Sequence, residues 1–170
     1  MMYGITGTPG TGKSSVGKEL SRRGHRVVHL VDTIQPYIVE QDRERGTAVV
    51  DEGRWAQEFV PVDGFVEGHL AHYLPCDLII ILRCRPDVLE ERLHARGYAW
   101  LKIRENAESE AMDLILSETA ARFGDGHIHE IDTTFLTIRE VTDRVERVVT
   151  GVDPLTCGTL DWSEYLERYT

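Results

Sequence analysis

The sequence has few cysteines and no long apolar segment. Its three cysteines, Cys76, Cys84 and Cys157, are scattered and form no CxxC pair, so buried thiols are expected rather than a zinc site or a disulfide framework. No apolar run approaches the roughly 20 residues that span a bilayer. The most apolar stretch, Leu78 to Leu82, has the length of a buried strand instead. We therefore expect no membrane-spanning segment.

Basic residues are also in short supply. The formal net charge is −10 over 170 residues, and such a field repels phosphate backbones, so general nucleic-acid binding is disfavoured while a local basic patch stays open. Hydrophobic residues at 41% and charged residues at 28% are typical of one globular domain, here residues 1–170. The amino terminus leads directly into a predicted strand without a signal peptide. We expect an intracellular, cytoplasmic protein, or a nuclear one if the source is eukaryotic.

Predicted strands and helices alternate along most of the chain. Strands are expected at Tyr3–Thr6, Arg26–Val31, Gly64–Glu67, Asp77–Arg83 and His127–Asp132. Helices are expected at Lys13–Arg23, Glu52–Glu58, Pro86–Ala95, in a long segment ending at Phe123, and around Ile138 to Val148. This alternation predicts an α/β fold, a doubly wound three-layer sandwich with a parallel sheet.

Three segments interrupt this pattern. Residues 32–54 are charged and irregular, which predicts a small excursion from the core. The long helix is expected after the polar stretch RGYAWLKIREN, with Met112, Ile115 or Leu116, Thr119 and Phe123 on its apolar face. The tail from Gly151 is expected to be a surface appendage anchored by Trp162.

The segment GTPGTGKS, which follows the first predicted strand and opens a helix, matches the phosphate-binding pattern GxxxxGK[ST]. Gly7, Gly10 and Gly12 allow backbone N–H groups to wrap phosphates, and the positive end of the helix points at the same place. Lys13 would neutralise β and γ phosphates, and Ser14 would supply a hydroxyl to Mg²⁺. The alternative is a glycine-rich turn with an incidental lysine. The position between strand and helix favours the phosphate loop.

Two side chains in GFVEGH follow the third strand of the chain. Ligands gather at the carboxyl ends of strands in open α/β sheets, so Glu67 is the predicted carboxylate that holds or orients a metal. His69 could position a water or a phosphate. The alternatives are an exposed strand-end charge for Glu67 and a structural hydrogen bond for His69.

Arg92 and Arg96 in ERLHAR lie four residues apart on one predicted helix face. This spacing lets two guanidinium groups act on one object, and arginines offset the charge of a transferred phosphoryl group. The alternative is a solvated face paired with Glu90 and Glu91. Next to a phosphate loop, the functional interpretation is favoured.

Several segments together resemble a known family: GTPGTGKSS, VEGH followed by LAHYLPCD, IIILRCRPDVLEERLHARGY, and KIRENAESE. They are similar to the atypical adenylate kinases implicated in small ribosomal subunit maturation, namely the nuclear isoenzyme and its archaeal relatives. RLxxRGY followed by KxxEN is the more specific part, because many families share the loop. The resemblance implies a P-loop nucleoside monophosphate kinase-like fold, with an AMP-binding arm at about residues 30–53 and a lid at about residues 95–105.

The resemblance also implies roles for individual residues. ATP contacts would come from Gly10, Gly12, Lys13, Ser14, Ser15 and Arg96, the metal-site carboxylate from Glu67, and the characteristic histidine from His69. Taken together with the residue patterns above, the predicted metal ligands are Ser14 and Glu67, and the predicted catalytic groups are Lys13, Glu67, His69, Arg92 and Arg96. Two departures stand out. Eukaryotic members have Asp-x-His where this chain has Glu-Gly-His, and the arm has no arginine from Thr33 to Gln41, for which Arg43, Arg45 and Arg54 are the candidate substitutes.

These observations predict an enzyme with ATP and Mg²⁺ as cofactors and AMP as acceptor. It would transfer the γ-phosphoryl group of ATP to AMP, hydrolyse ATP as a side activity, and act in ribosome maturation. The competing hypothesis is an ATPase switch that acts on a small-subunit ribosomal protein or pre-ribosome, with kinase turnover incidental. A small-metabolite kinase on the same fold is a weaker alternative. The oligomeric state stays open.

Overall fold

The computed structural model of the protein describes residues 1–42 and 47–169. Arg43 and Arg45, two candidate substitutes in the arm, lie outside the described residues. In chain order the described residues form β1 (Met2–Thr6), α1 (Lys13–Arg22), β2 (Val27–His29), β3 (Ile38–Asp42), β4 (Thr47–Val50), α2 (Glu52–Glu58), β5 (Gly64–Glu67), β6 (Leu78–Arg83), α3 (Pro86–Ala95), α4 (Trp100–Ala111), α5 (Leu114–Ala120), β7 (Ile128–Asp132) and α6 (Ile138–Val149). Within these ranges, no helix has the length and apolar character needed to cross a bilayer.

Five strands form a parallel sheet in the order β2-β5-β1-β6-β7. The interior strand β6, with sequence LIIILR, is buried at every position because both faces of the sheet are covered. Since all five strands run the same way, their carboxyl ends meet at one edge. The phosphate-loop segment follows β1 at that edge, between its neighbours β5 and β6.

Alternate residues of the strands build two separate apolar cores. On one face Ile80 and Leu82 of β6 pack with Val16 of α1 and Val141 of α6. On the other face the neighbouring β6 side chains pack with residues of α2 and α5, including Trp55. The period-two alternation of a strand directs successive side chains into these opposite layers. The predicted three-layer α/β fold is confirmed.

The predicted long helix ending at Phe123 is wrong. The helix begins earlier, at Trp100, and it is divided into α4 and α5 at Asp113, whose φ is 53°. The buried guanidinium of Arg83 donates to the carbonyl of Glu110 (3.2 Å) and to the side chain of Asp113. These contacts draw the end of α4 onto the sheet and interrupt the helix, so Met112 is 48% exposed instead of buried.

The excursion at residues 32–54 has more regular structure than the sequence predicted. It contains the antiparallel pair β3–β4 and a 3-10 turn at Gln35–Tyr37. A further 3-10 turn at Leu30–Asp32 leads into it, so the predicted strand Arg26–Val31 ends early, at His29. The Asp51 side chain accepts a hydrogen bond from the backbone N–H of Arg54 (3.0 Å) and so begins α2.

The C-terminal strap, residues 152–169, lies against the sheet edge and α4. The backbone of β7 pairs with it, because the N–H of Glu130 donates to the carbonyl of Thr156 (2.9 Å). Tyr165 is buried against Ala107 and Ala111 of α4. Trp162, the predicted anchor, is half-buried with its ring 5.0 Å from the Arg83 guanidinium carbon. Tyr165 therefore anchors the strap more deeply than Trp162 does.

Candidate active site

The segment GTPGTGKS forms a tight loop between β1 and α1. Its three glycines have positive φ values of 143° at Gly7, 93° at Gly10 and 104° at Gly12. A Cβ atom at Gly7 would lie 2.4 Å from the carbonyl oxygen of Leu82, so only glycine lets the loop pack this closely on β6. No side chain caps α1 at Gly12, and the first turn carries no acidic residue. The amides at this helix start therefore present an uncompensated positive potential to the space in front of the loop.

Lys13 is folded back onto the loop. Its Nζ donates to the carbonyl oxygens of Gly7 (2.8 Å) and Thr8 (3.0 Å). Burial lowers the pKa of Lys13 to about 8, while the negative charges of Glu67 and Glu110 act in the opposite direction. An anion in front of the loop would satisfy this ammonium group better than the two carbonyls do.

Glu67 ends β5 and is 3% exposed, so the alternative of an exposed strand-end charge is wrong. Its Oε1 lies 2.6 Å from Nδ1 of His29, the residue opposite it in the parallel register of β2 and β5. Gly17 of α1 leaves room for this pair, since a Cβ there would lie 2.9 Å from the Cγ of Glu67. His29 was not predicted from the sequence, because strand register and not sequence spacing brings it to Glu67.

His69 lies beside the loop. Its Nδ1 is 3.3 Å from the carbonyl oxygen of Gly7, and its own carbonyl accepts from the Thr6 hydroxyl (3.1 Å). Burial and the nearby charge of Lys13 lower the pKa of His69, which favours the neutral ring at neutral pH. A neutral imidazole that donates from Nδ1 has a free acceptor at Nε2. The ring is thus suited both to support the loop and to accept a proton.

The two arginines of α3 differ in their surroundings. The Arg92 guanidinium donates to the carbonyl oxygens of Thr133 (2.7 Å) and Thr134 (3.1 Å) after β7. Arg96 is exposed at the end of α3, with its guanidinium carbon 5.6 Å from the centre of the Tyr98 ring. Arg92 is therefore held in place before any ligand arrives, whereas Arg96 is free to reach one.

One cavity of about 1000 Å³ unites the predicted residues. Every site residue expected from the sequence lines it: Gly10, Gly12, Lys13, Ser14, Ser15, Glu67, His69, Arg92 and Arg96. The cavity has two parts. The loop side is formed by residues 9–15, 92–98 and 133–141, and the arm side by residues 30–34 and 67–70.

The two sides differ in their lining. The arm side contributes apolar groups such as Leu30, Val31 and Ile34, and no lysine or arginine within the described part of the chain. The loop side contributes Lys13 and both α3 arginines, together with apolar side chains after β7 that include Leu136 and Ile138, and Lys18 of α1 also lines the cavity. The sequence analysis missed the segment after β7, although its place at a strand's carboxyl end was a usable signal.

Arg54, the third candidate substitute in the arm, points away from this cavity. Its Nε donates to Glu58 (2.8 Å), and its guanidinium carbon lies 5.7 Å from the ring of Tyr37. Tyr37 and Glu58 line a separate pocket of about 300 Å³. Arg54 is thus not placed to contact a ligand in the main cavity.

Comparisons with known proteins agree with this architecture. Residues 4–113 match the family described as AAA domain. A protein of Archaeoglobus fulgidus named "Putative adenylate kinase" is 39% identical over 174 residues, covering 98% of this chain and 94% of the relative. A protein of the same name from Natronomonas pharaonis is 40% identical over 172 residues, covering 98% and 100%.

The fold is also similar to that of solved P-loop kinases. The shikimate kinase of Acinetobacter baumannii aligns with a TM-score of 0.62 at 15% identity, over 89% of this chain and 94% of that one. At this identity the likeness concerns the fold alone, whereas the curated relatives match over nearly the whole length. The chain belongs to the adenylate-kinase-like family of AAA-domain P-loop proteins.

Proposed function

We propose that this protein is an adenylate kinase, which transfers the γ-phosphoryl group of ATP to AMP and forms two molecules of ADP. The observation that carries the proposal is a single cavity in which the predicted phosphate loop faces a compartment of residues 30–34 and 67–70, where Leu30, Val31 and Ile34 lie beside Glu67 and His69. Its volume of about 1000 Å³ is at the upper end of the range for small-molecule sites, roughly 300–1000 Å³, and so leaves room for a bound nucleotide. The names of the curated relatives support the same activity.

ATP would occupy the loop side. The loop amides and the start of α1 would bind its β and γ phosphates, and Lys13 would exchange its contacts with the carbonyls of Gly7 and Thr8 for phosphate oxygens. Ser15 lines the same part of the cavity. The apolar side chains after β7, with Arg92 fixed beside them, would then border the nucleoside.

The residues present fit a magnesium ion as well. The hydroxyl of Ser14 and the carboxylate of Glu67 line one cavity and are the hard oxygen ligands that Mg²⁺ prefers. No cluster of three or more His, Cys, Asp or Glu ligands occurs among the described residues. When bound, Mg²⁺ would neutralise phosphate charge. His29 holds the Glu67 carboxylate in place for this role.

AMP would occupy the arm side. An oxygen of its phosphate would attack the γ phosphorus, the bond from that phosphorus to the β–γ bridging oxygen would break, and ADP would leave. Arg96, exposed at the mouth of the cavity, would move onto the transferred group and stabilise its charge. Lys13 would hold the donor phosphates in line, and closure of the predicted arm and lid would exclude water.

One observation favours a second activity. Residues 30–34 and 67–70 bring no lysine or arginine to the cavity, so the described part of the arm side offers little charge to bind an acceptor phosphate. Water would replace AMP readily, and slow ATP hydrolysis would follow. The family resemblance also implies an ATPase switch that acts on a ribosomal protein or pre-ribosome. That switch would require this hydrolysis, and it stays a prediction.

An acceptor screen tests the proposal. Purified protein is given ATP and Mg²⁺ with AMP, CMP, UMP, shikimate or no acceptor, and the products are resolved by chromatography. We expect ADP formation that depends on AMP, at two ADP per AMP consumed. Hydrolysis that AMP does not accelerate, and that a small-subunit ribosomal protein raises, would support the switch. Faster transfer to a metabolite than to AMP would contradict the adenylate kinase assignment.

A further inference from the structure

A buried group of charges lies behind the phosphate loop, on the side away from the cavity. We call it the Arg83 cluster; it consists of Arg83 of β6, Glu110 of α4, Asp113 at the α4–α5 break, and Glu130 of β7. Arg83 is 1% exposed and Glu110 is 2% exposed. The Arg83 guanidinium pairs with Glu110 (2.8 Å), with Asp113 and with Glu130. Such burial is unfavourable unless each charged group is fully hydrogen-bonded.

Glu110 connects this cluster to the loop. Its Oε1 accepts from Nε of Arg83 (2.8 Å) and from the backbone N–H of Cys84 (3.1 Å). Its Oε2 accepts from the hydroxyl of Thr8, a loop residue that is itself buried. The two oxygens of one carboxylate therefore join α4, β6 and the phosphate loop.

Thr8 is the point where this contact reaches the cavity. Its carbonyl oxygen accepts from Nζ of Lys13 (3.0 Å) and from the hydroxyl of Thr11 (2.9 Å). The side chain of Thr8 thus faces Glu110, while its backbone faces the lysine that lines the cavity. A shift of Thr8 would move both the loop backbone and Lys13.

We propose that Glu110 is a positioning residue of the phosphate loop: it holds Thr8 from behind and so keeps the loop and Lys13 in the conformation that binds nucleotide. This inference rests on the proposed role of the loop as a nucleotide site. One further observation agrees with it: the negative charge of Glu110 favours the charged form of Lys13. Stability alone does not explain a charged residue at this position, because well-packed apolar side chains often stabilise a core as much as a buried ion pair does.

The sharpest test changes Thr8, because the pairing of Arg83 with Glu110 then stays intact. Thr8→Val keeps the shape and removes the hydroxyl, whereas Thr8→Ser keeps the hydroxyl. We measure the affinity for ADP-Mg by calorimetry, kcat and KM for ATP, and the melting temperature. Thr8→Val is expected to weaken ADP-Mg binding about tenfold or more and to lower kcat as well, the effect of losing a hydrogen bond to a buried charge. Thr8→Ser is expected to stay within about twofold of the wild type.

A second pair of variants tests Glu110 itself. Glu110→Gln should weaken nucleotide binding in the same direction as Thr8→Val. Glu108→Gln is the matched control on α4, since Glu108 pairs only with Arg104 on the surface side of the helix in the contacts described (2.6 Å), and it should leave binding unchanged. If Thr8→Val lowers the melting temperature but binds ADP-Mg as tightly as the wild type, the contact is merely structural and the inference is overturned.

Binding of ADP-Mg is the primary measurement because it distinguishes a failure of the proposed kinase activity from a failure of the positioning role of Glu110. If the wild type binds ADP-Mg but does not phosphorylate AMP, the proposed function fails while the Thr8 and Glu110 variants still test loop positioning. If AMP is phosphorylated normally by Thr8→Val and its ADP-Mg affinity is unchanged, the proposed function stands and the positioning role of Glu110 is refuted.

Discussion

The two sides of the cavity are built differently. On the loop side three polar side chains already have a defined partner: Lys13 is held by loop carbonyls, Thr8 by Glu110, and Arg92 by the carbonyls after β7. On the arm side residues 30–34 contribute the apolar Leu30, Val31 and Ile34, and Val31 is 62% exposed. The three polar side chains of the loop side are therefore held in fixed positions, whereas the exposed Val31 of the arm side is less constrained. The predicted phosphate site is preformed on one side, whereas the other side would gain its remaining contacts when an acceptor binds.

Removing the ammonium group of the loop side should have the largest effect. Lys13→Ala is expected to lower phosphoryl transfer by about 10²–10³-fold or more, because it removes a preorganised charge from the transferred group. The melting temperature should change little, since the hydrogen bonds described for Lys13 go to two loop carbonyls and not to the apolar core. Coupled-assay kinetics and thermal melting check this. Arg22→Ala, at the exposed end of α1, is the control. Normal turnover by Lys13→Ala would contradict the assignment of the loop side as the site that binds the transferred phosphate.

Variants of the two α3 arginines should separate an effect on catalysis, at Arg96, from an effect on stability, at Arg92. Arg96→Ala is expected to lower kcat about 10- to 100-fold, more than it lowers nucleotide affinity, because the exposed side chain would act on developing charge. Arg92→Ala should in addition lower the melting temperature by several degrees, since the carbonyls of Thr133 and Thr134 lose their donor at a cost of about 1–3 kcal/mol. Equal changes in stability for the two variants would argue against this division.

A smaller change on the arm side should act on the acceptor alone. Val31→Ala is expected to raise KM for AMP about three- to tenfold, since it removes two methyl groups from a side chain that is 62% exposed, and a fully buried CH₂-sized group contributes about 0.8 kcal/mol. ATP hydrolysis without AMP should be unchanged. Val60→Ala, an exposed valine on the separate pocket, is the control. If Val31→Ala changed KM for ATP instead, the assignment of the two sides would be reversed.

A change at His129, which is remote from both sides of the cavity, should alter the stability of the fold but not the kinetics. Nδ1 of His129 accepts from the N–H of Thr156 in the C-terminal strap (3.0 Å), and burial lowers the pKa of His129 below 6.5. As pH falls below about 6.5 the unfolded chain takes up this proton first, so the unfolding free energy decreases. His129→Gln should weaken that pH dependence in denaturation experiments and leave KM for ATP and AMP unaltered. A steeper acid dependence in the variant would contradict this sign.

Much of this fold and site was predictable because its signals are local. The run LIIILR identifies a central strand, and GTPGTGKS identifies the loop by its glycines and lysine. Glu67 and His69 followed from one topological rule, that ligands collect at the carboxyl ends of parallel strands. Glu67, His69 and loop residues 9–14 line the cavity. Their roles in binding and chemistry remain predictions.

What the sequence did not reveal depends on contacts between distant residues. His29 meets Glu67 through strand register, and Arg83 ends a strand that is otherwise apolar, so neither has a periodic signature. The break at Asp113 illustrates the consequence. Helical periodicity continued through it, but the hydrogen bonds of Arg83 to Glu110 and Asp113 determine where α4 ends. Local propensity could not anticipate a terminus imposed by a buried charge.

The most direct test of the central claim is a calorimetric titration of the folded protein with ADP-Mg, with Lys13→Ala in parallel. The account predicts saturable one-to-one binding to the phosphate loop of the wild type, and binding weakened by at least about tenfold when the ammonium group is absent. A well-folded wild type that shows no heat of binding, or a Lys13→Ala variant that binds equally well, would contradict it.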